Sequence, residues 1–216
     1  MRRACLPLLA LCLLSVADAS AQVTLGLKAG INRSDLSIHD ADGENVDVKS
    51  KTGFVGGAYL QFGLGDVFAV QPEVLYSAQG AKQPVGDATL SLDLTYLSVP
   101  LLFMARIPAG DSPIWPILYV GPVVSFEMDC KLKGEVDGST TSVDCDGGDE
   151  PTNRTSGTDV GMTFGGGFDF FFGSIRTQLD ARYTIGLNNI DDTDSGSSVK
   201  NRGWSFTFGM GYALSP

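Results

Sequence analysis

The sequence predicts an all-β fold, an antiparallel up-and-down transmembrane barrel of about eight strands of the outer-membrane type, preceded by a signal peptide. Apolar and polar residues alternate with period two in segment after segment, the mark of strands with two unlike faces. Short and long connections take turns along the chain, and the bulky apolar face is the one opposite the charges.

The chain opens on a short basic head, Arg2 and Arg3, followed by the apolar stretch Leu6 to Ala17 and the small-x-small site Ala19-Ser20-Ala21. These are the parts of a secretory signal peptide, so residues 1–21 are expected to be removed, leaving a barrel domain over 22–216. The apolar stretch is shorter than the roughly 20 residues that a membrane-spanning helix needs. A lipoprotein signal with Cys12 as the lipid-bearing residue is the rival, but Leu11, not a small residue, would precede it.

The first strand carries Val23, Leu25, Leu27, Ala29 and Ile31 on one face against Thr24, Gly26, Lys28, Gly30 and Asn32 on the other. Further strands are expected near 53–62, 67–78, 89–106, 116–128 and 158–171. Next, Leu179, Ala181, Tyr183, Ile185 and Leu187 oppose Arg176, Gln178, Asp180, Arg182 and Thr184. The last strand sets Trp204, Phe206, Phe208, Met210, Tyr212 and Leu214 against Ser205, Thr207, Gly209 and Gly211. Gly63-Leu64-Gly65-Asp66 and Phe172-Gly173-Ser174 read as tight turns and Ile107 to Trp115 as a looser one, whereas 32–51, 79–88, 129–157 and 188–202 read as polar loops. Short turns on one rim and long loops on the other are expected of an outer-membrane barrel, the short ones facing the periplasm.

The charges decide between lipid and water as the surroundings. Lys28, Glu73, Asp93, Glu127, Asp169, Arg176, Asp180 and Arg182 fall on the face that is otherwise rich in Gly, Ser and Thr. A soluble core could not hold so many, since each unpaired one costs several kcal/mol. Turned into the lumen they can pair, while the apolar face meets lipid and needs no core partner. An open edge in hydrocarbon would strand a row of backbone groups, so the first and last strands are expected to pair. Gly161, Gly165, Gly167, Gly209 and Gly211 fall on the inner face, leaving room for long side chains. Lys28, Glu73, Glu127, Asp169, Arg176, Asp180 and Arg182 are therefore expected to form a lumenal polar network of structural character, with an ion pair between Asp169 and Arg176 across the Gly173 turn. Phe62, Phe68, Trp115, Phe170, Phe171, Phe172 and Tyr212 are expected as the aromatic girdle of the periplasmic rim.

Removing Arg2, Arg3 and Asp18 from 15 basic and 25 acidic residues leaves 13 and 24, a charge of −11 that argues against nucleic-acid binding. Cys130 and Cys145 remain in the mature chain, both in one polar segment, and an exported pair suggests a disulfide that staples a loop rather than the core. With no His nearby they do not suggest zinc. Asp191 to Gly196 and Asp144 to Glu150 are calcium-like in composition but lack the Gly and Glu placement of a calcium loop. Neither a metal nor a cofactor is expected. Asn153-Arg154-Thr155 fits a glycosylation acceptor, which has no clear meaning in a bacterial outer membrane.

In order along the chain stand Leu27-Lys28-Ala29-Gly30-Ile31-Asn32, Gly53-Phe54 to Phe62, Gln71-Pro72-Glu73-Val74-Leu75-Tyr76-Ser77 with Gly80, and Tyr96-Leu97-Ser98-Val99-Pro100-Leu101-Leu102. Tyr119-Val120-Gly121-Pro122 and the glycine-rich Phe164 to Phe168 complete the series. In these motifs, which cover nearly the whole mature chain, the sequence resembles the PorT-like family of outer-membrane β-barrel proteins, often called porin family proteins. It departs from the pattern in ending Tyr212-Ala213-Leu214-Ser215-Pro216, where such barrels usually carry a terminal aromatic, and in the length of 129–157.

The expected role is structural, surface-docking or that of a narrow channel, without catalysis, in a monomer embedded in outer-membrane lipid and inserted by the barrel-assembly machinery. Residues 32–51 and 129–157 are the candidate docking loops. A lipid-modifying enzyme would need a positioned His, and the single histidine, His39, sits among Asp35, Asp40, Asp42 and Glu44 without a serine or carboxylate partner on a rigid strand. A soluble lipocalin-like carrier would need an apolar interior and normally a terminal helix, where this chain has a strand.

Overall fold

A computed structural model describes residues 22–39, 45–46, 49–86, 88–136, 139–145, 157–188 and 198–214. The expected signal peptide, the Cys12 alternative, the Asp191 to Gly196 stretch and the Asn153-Arg154-Thr155 acceptor lie outside these residues, as does the Asp144 to Glu150 stretch beyond Cys145.

The strands are β1 (Val23–His39), β2 (Asn45–Val46), β3 (Lys49–Leu64), β4 (Phe68–Val85), β5 (Ala88–Arg106), β6 (Ile114–Val136), β7 (Ser139–Asp144), β8 (Thr158–Phe172), β9 (Ile175–Gly186) and β10 (Ser198–Ala213). Eight of them form a ring of antiparallel neighbours in the order β1-β3-β4-β5-β6-β8-β9-β10. Pairing of β1 with β10, from Thr24 opposite Ala213 to His39 opposite Ser198, closes the barrel. Closure satisfies the edge groups that lipid could not. The two short strands are additions at the outer rim, β2 on β1 and β7 on β6.

The short rim follows from local turn chemistry. Gly65 and Gly173 adopt φ of 73° and 62°, left-handed values that side chains other than glycine rarely take, and they close the β3–β4 and β8–β9 hairpins. At the other rim the strands run far beyond the ~9–11 residues needed to cross a bilayer; β6 alone has 23. Much of what reads as polar loop is therefore ladder. Residues 79–85 and Ala88 are not loop but the end of the β4–β5 hairpin, paired as far as Val85 opposite Ala88. Residues 131–136 pair with 139–144, and 32–39 and 198–202 belong to β1 and β10. The reason is that ladder pairing needs only backbone groups and still gains net stability in water, so a strand loses its apolar alternation at the membrane edge without losing its pairing.

Leu27, Ile31, Phe54, Leu118, Phe206 and Met210 are all more than half exposed on the outer face, an apolar surface that suits lipid. The interior is not wholly polar. Ala69, Leu102, Met104, Ile117 and Tyr119 form a buried cluster against β4, β5 and β6, so one wall of the lumen is packed like a soluble core. Two expected girdle residues also turn inward: Trp115 packs on Phe171 at 5.0 Å between ring centroids, and the Arg176 guanidinium lies 5.0 Å from the Phe171 ring. Their position in the alternation, shared with buried Ile117 and Asp169, decides this face. Phe68, Phe172 and Tyr212 stay outside.

Candidate functional site

The lumen is crossed at mid-depth by four ions of balanced charge. Lys28 Nζ on β1 lies 2.8 Å from Glu73 Oε1 on β4 and 3.0 Å from Asp180 Oδ2 on β9. Arg182, also on β9, reaches Glu73 Oε2 at 2.6 Å and Asp180 Oδ1 at 3.2 Å. In the ring order β4 and β9 stand diametrically opposite. Each of the four is almost completely enclosed. Their remaining hydrogen-bonding capacity is met by neutral neighbours: Tyr119 donates to Asp180 at 2.5 Å, Thr207 donates to it at 2.8 Å, and Gln71 donates to Glu73 at 2.7 Å.

Tyrosine rings fill what the ions leave open. Lys28 Nζ lies 5.6 Å from the Tyr59 centroid and the Arg182 guanidinium 5.4 Å from that of Tyr119. Space for these rings comes from the inner-face glycines. A Cβ on Gly26 would come within 2.3 Å of the Tyr59 ring, one on Gly211 within 2.7 Å of its hydroxyl, and one on Gly165 within 2.7 Å of the Tyr119 hydroxyl. At these positions the glycines admit aromatic rings rather than the long charged side chains that the sequence suggests.

A second layer lies towards the short rim. Gln61 Oε1 accepts from Arg106 at 2.6 Å and from Arg176 at 2.9 Å, and Arg176 also donates to Gln22. The expected Asp169–Arg176 ion pair does not form. Register sets Asp169 opposite Gln178, which donates to it at 3.0 Å, and Arg176 opposite Phe171. The ionic partner of Asp169 is Arg106 on β5, at 3.4 Å. The two residues flanking the Gly173 turn are thus offset by one inward position.

Glu127 is half-buried on β6, opposite Tyr96 in the β5–β6 ladder and well outward of the ion cluster. Asp93 also lies outward, bridged to Lys51 and, at 2.9 Å, to Lys133. Cys130 and Cys145 are joined by a disulfide at the base of the β6–β7 hairpin. It holds more than a loop: Cys130 is buried in a cluster with Leu94 and Tyr96 at the outer mouth. His39 ends β1 in backbone pairing with Ser198 and Asn45. Among the described residues, no three His, Cys, Asp or Glu side chains gather where they could hold a metal ion.

Sequence reasoning missed Gln61, Gln71, Arg106, Tyr59 and Tyr119. Arg106 shares the parity of Leu102 and Met104, a signal that it points inward, but nothing local announced that its partners, Gln61 and Asp169, stand two strands away on either side.

A closed barrel with an apolar outer face and a buried ionic lumen has a counterpart in sequence. Residues 17–192 match the model of the outer membrane protein β-barrel domain. The chain belongs to that family. Its location is accordingly the bacterial outer membrane. No curated protein matches the chain. Among solved structures it is similar to the outer membrane protein OprG from Pseudomonas aeruginosa, with 14% identity, 91% of this chain and 98% of that one covered, and a TM-score of 0.53. It is also similar to Neisserial surface protein A, with 13% identity, 89% and 97% coverage and a TM-score of 0.49. The OprG likeness is one of fold.

Proposed function

We propose that this family member is a PorT-like barrel that works as a closed, non-catalytic scaffold, holding its outer hairpins above the membrane as docking elements. The observation that carries this reading is the Glu73–Arg182 contact between opposite strands, which occupies the lumen at mid-depth with paired charge. An interior of about eight strands is only wide enough for side chains to fill. The two acids of this cluster, Glu73 and Asp180, are engaged by Lys28, Arg182, Tyr119 and Thr207, so neither is poised as a general base. The PorT-like reading is supported by the ordered motifs from Leu27-Lys28-Ala29-Gly30 to the Phe164–Phe168 glycines, most of the chain that matches the family.

Docking falls to the segments 32–51 and 129–157, the second of which contains the disulfide-stapled β6–β7 hairpin. A hairpin held in one conformation binds with less entropic loss than a free loop. Outer-membrane lipid is the partner of the apolar face, and the barrel-assembly machinery that of the nascent chain.

Planar-bilayer recording of the purified protein tests closure. The expected result is no stable conductance for the wild type and a measurable one for the double variant Glu73→Ala, Arg182→Ala. Stable channels in the wild type would replace the scaffold with a pore.

A further inference from the structure

Above the ion cluster the lumen opens into a pocket that includes Arg182 in its lining. Three buried acceptor atoms on its lining residues have no hydrogen-bond partner: Asn32 Oδ1, Asp159 Oδ1 and Asn201 Oδ1. These residues are only 4%, 7% and 8% exposed, so bulk water does not pair with them freely. An unpaired buried acceptor costs about 1–3 kcal/mol.

The opposite end of each amide is already committed. Asn32 Nδ2 donates to Ser77 at 2.8 Å, and Asn201 Nδ2 donates to Asp159 Oδ2 at 3.1 Å and to the Tyr96 hydroxyl at 3.3 Å. The Asn201–Tyr96 bond joins β10 to β5, which face each other across the ring. Donor ends are thereby fixed, and three oxygens are left asking for donors. Gly186 keeps the space before one of them clear, since a Cβ there would come within 3.2 Å of Asp159 Oδ1.

The wall names the chemistry. Only one carboxylate belongs to the trio, too little for a divalent cation, which takes six or more oxygens with several anionic ones. Hydroxyl-bearing residues recur among the apolar ones on the rest of the wall, Ser98 and Ser125 sharing a bond of 2.8 Å. A hydroxyl both gives and accepts, so it suits a partner that does the same. We propose that this outer vestibule binds a small neutral polyhydroxylated solute of the sugar class, whose hydroxyls donate to Asn32, Asp159 and Asn201. The site lies above the mid-lumen closure and goes beyond the scaffold reading, because binding here needs no passage through the barrel.

Saturation-transfer NMR with glucose, on the full mature chain folded in amine-oxide micelles free of sugar detergent, tests the site. Methylammonium chloride serves as the cationic comparison. Transfer to glucose is expected in the wild type, with affinity about ten-fold lower in Asn201→Leu and in Asn32→Val, the loss of one or two hydrogen bonds. Retained heat-dependent gel mobility shows that each variant is folded, and Gly186→Ala, whose Cβ would come within 3.2 Å of Asp159 Oδ1 and 3.0 Å of the Asn201 carbonyl without removing an acceptor, should weaken binding in parallel. Absence of transfer to glucose would mean that ordered water satisfies the three oxygens, and transfer to methylammonium alone would mean a cation site. Either result overturns the proposal, as does glucose binding that all three variants leave unchanged.

Discussion

Glu73 and Arg182 meet across the full width of the lumen: two guanidinium nitrogens of Arg182 lie 2.6 and 3.2 Å from the Glu73 carboxylate, although β4 and β9 share no ladder. Backbone pairing does not bring them together. Only the curvature of the closed sheet does.

Removing one partner of this buried pair leaves a charge without compensation, which costs about 3–5 kcal/mol. Glu73→Ala should therefore lower the temperature of the SDS gel-mobility shift strongly, more than Glu73→Leu combined with Arg182→Met. An equal loss in the single and double variants would mean that the charges contribute nothing as a pair.

The outer Asp93 bridge should behave otherwise. Asp93, Lys51 and Lys133 keep between about a quarter and two-fifths of their side-chain surface exposed, so solvent screens them. Asp93→Asn is expected to change urea stability in micelles by about 1 kcal/mol or less. A loss comparable to that of Glu73→Ala would show that this pair is structural in the same sense as the mid-lumen one.

The Tyr59 ring lies where a Gly26 side chain would be. Gly26→Val should overpack the lumen and cost about 1–3 kcal/mol in urea unfolding. Adding Tyr59→Ala should recover part of that loss, because the same space cannot be filled twice. Strictly additive effects would contradict the contact.

Leu118 is 59% exposed on the outer face. In lipid, Leu118→Arg should cost up to about 2–4 kcal/mol and reduce the heat-modifiable fraction after refolding into liposomes. A soluble barrel would tolerate the same change at an exposed site, so an unaffected variant would contradict the lipid-facing assignment.

Cys130 and Cys145 close a loop 15 residues apart in sequence. Reduction should render 131–144 sensitive to limited proteolysis while leaving the gel-mobility shift of the barrel in place, since the bridge acts on that hairpin through about 3 kcal/mol of loop entropy. Unchanged protease resistance after reduction would show that the β6–β7 ladder holds itself.

The inward position of Lys28, Glu73, Asp180 and Arg182 can be read from alternation, because a strand turns successive side chains to opposite faces whatever lies around it. The partner of Asp169 cannot be read in that way. Its nearest basic residue in sequence across the turn is Arg176, and the choice of Arg106 depends on which positions share a height in the barrel, a consequence of register and strand tilt. Trp115 and Phe171 fail for a related reason: aromatic character near a rim suggests a girdle, but parity put both rings inside.

The sequence by itself determined the strands, their two faces, the short and long rims and the outward placement of the apolar bulk. Each of these is set by local chemistry, with a period of two, turn glycines and the insolubility of unpaired charge in hydrocarbon. Tertiary structure alone decided which charges meet, which wall of the lumen is apolar, how far the ladders run beyond the membrane and which acceptors are left open in the vestibule. These depend on closure, which brings opposite strands within hydrogen-bonding reach through space that no sequence neighbour spans.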